Sequence, residues 1–173
     1  MTKSKLHIGL IGSGFMGRAH AFGYGIARQV FDLPAEICLH GLADYSEEHA
    51  RAAAKDLGFR GHYASWQELI ADSRIDIVDI TTPNHLHAEI ALSAIKAGKH
   101  VYCEKPLATC LSDSATMREA ARAARITTQV GSNYLANPLF AMAREMVRSG
   151  ALGEVRSFRG IHAEDYMADA SMP

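Results

Sequence analysis

The sequence predicts a doubly wound α/β fold, a parallel sheet covered by helices on both faces, and three observations carry that expectation. Short apolar or β-branched runs alternate with stretches of helical period from Leu6 to Val130, the pattern of repeated strand–helix–strand units. The connections between these runs are only a few residues long, as compact α/β units require. Finally, Gly12-Ser13-Gly14-Phe15-Met16-Gly17 stands between the first strand and the first helix, where this architecture makes its tightest turn.

Each element has its own local signal. Leu6 to Ile11 reads as a short buried strand and Phe15 to about Gln29 as a helix. Glu36 to Ala43 is the second strand, ending at Asp44. Ser46 is placed to cap a helix through Leu57, with Glu47 and Glu48 at its positive end. A short strand is expected around Phe59–Tyr63 and a short helix over Trp66–Ala71. Ile75 to Ile80 is β-branched and bounded by Thr81-Thr82-Pro83, hence a strand. His85 to Ala97 reads as a helix stopped by Gly98, and His100–Cys103 as a strand. Ser112 is expected to cap a helix to about Arg125, and Thr127–Val130 forms the last strand of the series.

The pattern changes near residue 131. Asn137-Pro138 starts a helix through Met146, Ser149-Gly150 closes it, and Glu154 to His162 reads as a strand of a different layer. We therefore expect a dinucleotide-binding domain over residues 1–131. Residues 132–173 are expected to begin a second domain that the chain leaves truncated. No solenoid-period repeat or low-complexity tract interrupts this division.

The bulk numbers exclude several classes. The chain has 173 residues, 48% hydrophobic and 21% charged, an ordinary globular balance able to bury a core without disulfides. The formal net charge is -1, so nothing calls for nucleic acid or an anionic membrane as partner. Cys38, Cys103 and Cys110 show no C-x-x-C spacing, which disfavours a zinc site and suits reduced thiols in the cytoplasm. The apolar run after the basic Met1–Lys5 is too short for a signal peptide or a membrane span.

The glycine loop points to chemistry. Gly12 permits the tight turn, Gly14 lets backbone approach a pyrophosphate, and Gly17 lets helix and strand pack closely. The helix N-terminus then offers free N–H groups to the phosphates. Asp44, at the end of the second strand, can accept hydrogen bonds from an adenosine ribose, which favours NAD, with NADP as the alternative. It comes later than the usual ~20 residues, and Phe31-Asp32-Leu33-Pro34 accommodates the excess. Otherwise, Asp44 could merely cap the following helix.

Two further segments fall at carboxyl ends of strands, where ligands bind in such sheets. Thr81-Thr82-Pro83-Asn84-His85-Leu86-His87 follows the fourth predicted strand. Asn84 there reads equally as an N-cap, and His87 could face either the crevice or solvent. Glu104-Lys105-Pro106 follows the fifth. A lysine there can hydrogen-bond a reacting oxygen and help move its proton, though most lysines are simply solvated.

Taken together, the glycine loop, Thr82-Pro83-Asn84 with His87, Glu104-Lys105-Pro106, Asn133-Tyr134 with Asn137-Pro138, and Gly153-Glu154-Val155 resemble the Gfo/Idh/MocA oxidoreductase family along nearly the whole chain. The resemblance implies a Rossmann domain followed by an α+β domain with a large open sheet. It implies hydride transfer between NAD(P) and a hydroxyl or carbonyl carbon of a sugar, cyclitol or related compound, in a protein that is commonly a homo-oligomer. By position, Gly12, Phe15, Met16, Asp44, Thr82, Asn84 and His87 would contact the cofactor. Pro83 lies within the same segment. Glu104 would lie near the nicotinamide ribose, Lys105 at the reaction centre, and Asn133 near the nicotinamide and substrate pocket.

Two departures qualify the likeness. Leu135 and Ala136 follow Asn133-Tyr134 where members often carry an arginine. No Asp in the chain has a His four residues later, so the D-x-x-x-H pair that completes the family's catalytic group is missing. The chain is expected to be the cofactor-binding part of an oxidoreductase, inactive alone; the alternative is a non-catalytic NAD(P)-binding module.

Overall fold

The computed structural model describes residues 4–161, which fall into two compact units dividing after Ser132. In the first unit six strands form one parallel sheet: β1 (Ser4–Ile11), β2 (Ala35–Ala43), β3 (Gly61–Tyr63), β4 (Ile77–Ile80), β5 (His100–Cys103) and β6 (Thr128–Val130). Their order across the sheet is β3-β2-β1-β4-β5-β6. The chain runs outward from β1 on one side, then returns to β4 on the other. That reversal leaves a crevice beyond the carboxyl ends of β1 and β4.

Five helices cover this sheet: α1 (Phe15–Val30), α2 (Glu47–Leu57), α3 (Trp66–Ala71), α4 (His87–Lys96) and α5 (Leu111–Ala124). Alternation along the strands sends successive side chains to opposite faces. Leu10 and Leu42 meet Ala21 of α1 and Ala50, Ala53 and Ala54 of α2. Ile11, Val78, Ile80, Val101 and Cys103 meet Leu69 of α3, Ile90 and Ala94 of α4, and Met117 of α5. The alanines of α2 bring its backbone close to the strands. Ser46 caps α2 by accepting from His49 N at 3.2 Å, and Gly58 ends it with φ 78°.

Three local expectations are corrected. α5 begins at Leu111 with Cys110 in the cap position, so Ser112 lies inside the helix, its Oγ 3.1 Å from Cys110 Sγ. The extended Cys110 backbone supplies what that position needs without a side-chain cap. Asn84–Leu86 forms a separate 3-10 turn before α4, so Asn84 is not the cap of that helix. In the second unit a 3-10 turn over Asn133–Ala136 leads into α6 (Pro138–Arg148), where Asn137 accepts from Leu139 N at 2.9 Å. Residues 154–161 are not a strand, because no described strand pairs with them; His162 lies outside the described residues.

Candidate cofactor-binding site

The glycine loop lies at the crevice. Gly12 adopts φ +94°, and its N–H reaches Ala43 O at 2.9 Å. Its carbonyl accepts from Thr81 Oγ1 at 2.7 Å, tying the loop to the end of β4. Gly17 allows the close approach: a Cβ there would fall 2.1 Å from Gly12 O. Gly14 is the residue before α1 and makes no side-chain cap, and a Cβ there would meet nothing within 4 Å. The first turn of α1 thus presents uncapped N–H groups to open space, which suits an anion.

These residues line a cavity of about 620 Å³. The glycine loop with Phe15 and Met16 forms one wall, Asp44 and Tyr45 a second, and Thr82 and Pro83 a third. Phe15 is 85% exposed and Tyr45 81%, apolar and aromatic surface of the kind that packs on a flat ligand. Tyr45 Oη lies 2.8 Å from His49 Nδ1, the rings tilted at 4.6 Å. Thr82 Oγ1 is buried with no partner among the described residues, a polar atom left free to bond a ligand.

Asp44 clasps the glycine loop. One carboxylate oxygen accepts from Ser13 N at 2.7 Å and from the Ser13 hydroxyl, and the other from Tyr45 N at 2.7 Å. The cap of α2 is Ser46, so Asp44 does not serve that helix. An ionised carboxylate has about four acceptor sites; three are taken here, which leaves one for a ribose hydroxyl.

His87 departs from expectation. It is fully buried, with Nδ1 2.9 Å from Pro106 O and Nε2 2.9 Å from Thr82 O. It therefore does not reach a ligand in the crevice. It pins together, from behind, the two loops that follow β4 and β5. Asn84 is exposed on the 3-10 turn beside the cavity, and Asn133 is exposed in the second unit.

Glu104 is buried and Lys105 exposed. Glu104 accepts from Lys105 N at 3.1 Å and lies 3.2 Å from His20 Nε2. His20 Nδ1 lies 2.9 and 3.0 Å from the two oxygens of Asp79, which also accepts from Tyr24 Oη at 2.9 Å. Burial pulls the His20 imidazole down, but hydrogen bonds and charge from Asp79 and Glu104 outweigh it, and its pKa lies above the usual value. Burial pushes Asp79 up, and burial with the Asp79 charge pushes Tyr24 far up. Burial also raises the Cys103 thiol to about 12, with charge from Asp79 and Glu104 adding to it.

The sequence reading missed His20, Tyr24 and Asp79. A signal for them existed. Asp79 is a charge inside the apolar run Ile77-Val78-Asp79-Ile80, where a buried strand needs a partner for it. His20 and Tyr24 share one face of α1 at i, i+4 spacing. It also missed Ser13 and Tyr45, whose roles depend on how the loop folds back on Asp44.

Comparison with known proteins agrees with this geometry. Residues 6–132 match the family model of the Gfo/Idh/MocA oxidoreductase family, NAD-binding Rossmann fold. Levoglucosan dehydrogenase of Pseudarthrobacter phenanthrenivorans is 42% identical over 169 residues, 97% of this chain and 43% of that protein. A solved levoglucosan dehydrogenase, in complex with NADH and levoglucosan, superposes with TM-score 0.84 at 42% identity over 87% of this chain and 41% of its own. An NAD-binding oxidoreductase from Klebsiella pneumoniae gives TM-score 0.84 at 46% identity, over 87% and 40% respectively. The chain thus spans less than half the length of the relatives it matches. With its glycine loop, its strand order and a family match across the entire sheet, the chain belongs to the Gfo/Idh/MocA oxidoreductase family and contains its NAD-binding Rossmann domain.

Proposed function

We propose that this chain is the cofactor-holding part of an NAD(P)-dependent oxidoreductase acting on a hydroxyl or carbonyl carbon of a sugar, cyclitol or related polyol. The observation that carries the reading is the uncapped start of α1 facing the same cavity as Asp44. Gly12, Gly14, Phe15, Met16 and Gly17 hold the pyrophosphate, and Asp44 holds the adenosine ribose. Thr82 bonds the cofactor from the far wall, with Pro83 and Asn84 shaping that edge. Glu104 lies toward the nicotinamide ribose.

Bound NAD supplies the hydride acceptor at its nicotinamide. Lys105 positions the substrate oxygen and assists movement of its proton. Its exposure suits that role, since its ammonium forms no ion pair among the described residues. The complete protein works in the cytoplasm as a homo-oligomer.

The test is turnover of the complete protein with NAD and a panel of sugars and cyclitols headed by levoglucosan, the ligand of a solved relative. Reduction of NAD is expected with at least one of them, and Lys105→Met should lower kcat at least ~10²-fold. An unchanged rate in that variant would return Lys105 to the solvated surface. NADH binding without turnover on any of the panel would favour a non-catalytic module.

A further inference from the structure

A buried network of ionisable side chains lies behind Lys105. Asp79 is fully buried on β4 and receives hydrogen bonds from two side chains of α1, His20 and Tyr24. His20 spans from Asp79 to Glu104, at 2.9 and 3.2 Å. Glu104 in turn accepts the backbone N–H of Lys105 at 3.1 Å. The arrangement is a continuous chain of contacts from the sheet interior to the residue assigned to the reaction.

The chemistry of the acceptors selects one form of the ring. Ionised carboxylates only accept hydrogen bonds, and both ring nitrogens of His20 face carboxylate oxygens. An imidazolium donates to both, whereas a neutral ring satisfies only one. The surroundings leave little freedom. The ring stacks on Tyr102 of β5 at 4.9 Å and 14°, and a Cβ at Gly131 would fall 2.1 Å from Glu104 Oε1. The ionisable groups facing the ring are Asp79 from β4, Tyr24 from α1, and Tyr102 and Glu104 from β5 and its end. Cys103 points into the apolar core on the other face.

We infer that His20 is the positioning residue of the Glu104–Lys105 segment: as an imidazolium between Asp79 and Glu104 it fixes Glu104, and through Glu104 the backbone of Lys105. The inference rests on the reading that places Lys105 at the reaction centre. It also ties that segment to α1, the helix whose N-terminus faces the pyrophosphate site. When His20 loses its second proton, Glu104 loses a charged donor and Lys105 its fixed anchor. Hydrogen bonds and charge from Asp79 and Glu104 favour that charged form against the burial of the ring.

Nuclear magnetic resonance of the ¹⁵N-labelled full chain tests this, following the His20 ring nitrogens and the Lys105 amide from about pH 5 to about pH 9. Both ring nitrogens should carry protons at neutral pH, and the Lys105 amide should shift with the same midpoint as the ring. In His20→Gln, whose side chain does not titrate, the Lys105 amide should lose that shift while the other amides of the sheet keep theirs. A Lys105 amide indifferent to the His20 titration, or a neutral His20 ring at neutral pH, overturns the inference. The wild-type titration decides even where the variant fails to fold. The readout uses the Lys105 backbone alone, so an unchanged rate in Lys105→Met would break the assignment of Lys105 and leave this result standing.

Discussion

The two sides of the crevice are built from opposite materials. On the β1–β2 side the site is backbone: three glycines, the start of α1 and one carboxylate that clasps Ser13. On the β4–β5 side it is buried ionisable side chains, with His20 between Asp79 and Glu104. Such a site is sensitive to added atoms at Gly12 and Gly17, where a Cβ would run into backbone. A buried charged site is sensitive to removed atoms, because the remaining partners are left without compensation. In the proposed function, the first side binds and the second orders the segment that carries Lys105.

The sharpest way to break this contrast is Asp79→Ala. It strands the His20 cation and the Tyr24 hydroxyl in the interior, and stability should fall by about 3–5 kcal/mol, read by denaturant unfolding. A loss below about 1 kcal/mol would show that the network is wet and weakly coupled. The pH dependence has a definite sign. His20 is raised on folding, so its contribution is complete below the unfolded value of 6.5 and is lost as pH climbs through the folded one. Asp79 is also raised, so it too loses stability as pH rises. Wild-type stability should therefore decline as pH rises above about 6.5, and the decline should shrink when Asp79 is removed.

On the opposite side, Gly17→Ala should cost about 1–3 kcal/mol, because the new methyl group meets the Gly12 carbonyl at 2.1 Å. NADH affinity should fall with it, since the loop moves. Smaller again is Ser46→Ala, which removes a cap at the start of α2 and should cost about 1 kcal/mol in thermal unfolding. That change should leave NADH affinity nearly intact, since Asp44 is anchored by Ser13 and not by the helix cap.

The same contrast explains how much was legible in the sequence. Backbone sites have fixed spacing, so Gly12, Gly14 and Gly17 announced the turn, and strand–helix alternation announced the sheet. Asp44 stood out because it ends a strand, and it lines the cavity. The β4–β5 side was only half legible. Glu104-Lys105-Pro106 was visible as a segment, but its partners lie 84 residues away at His20, and no local rule spans that distance. His87 was misplaced for a related reason. Its position in the first turn of α4 permitted either face, and burial chose the one holding Pro106 O and Thr82 O. The expected strand near Glu154 failed because a strand needs a neighbour, which a one-dimensional pattern cannot provide.

In the proposed function, the cavity beside the glycine loop holds NAD, with Asp44 on its ribose. Titrating the chain with NADH and NADPH, followed by nicotinamide fluorescence, in wild type and in Asp44→Ala, tests it directly. Wild type should bind NADH more tightly than NADPH, and the variant should weaken NADH by roughly tenfold, about 1.4 kcal/mol, and narrow the preference. Equal or tighter NADPH binding in wild type, or an NADH affinity unmoved by the substitution, would contradict this assignment.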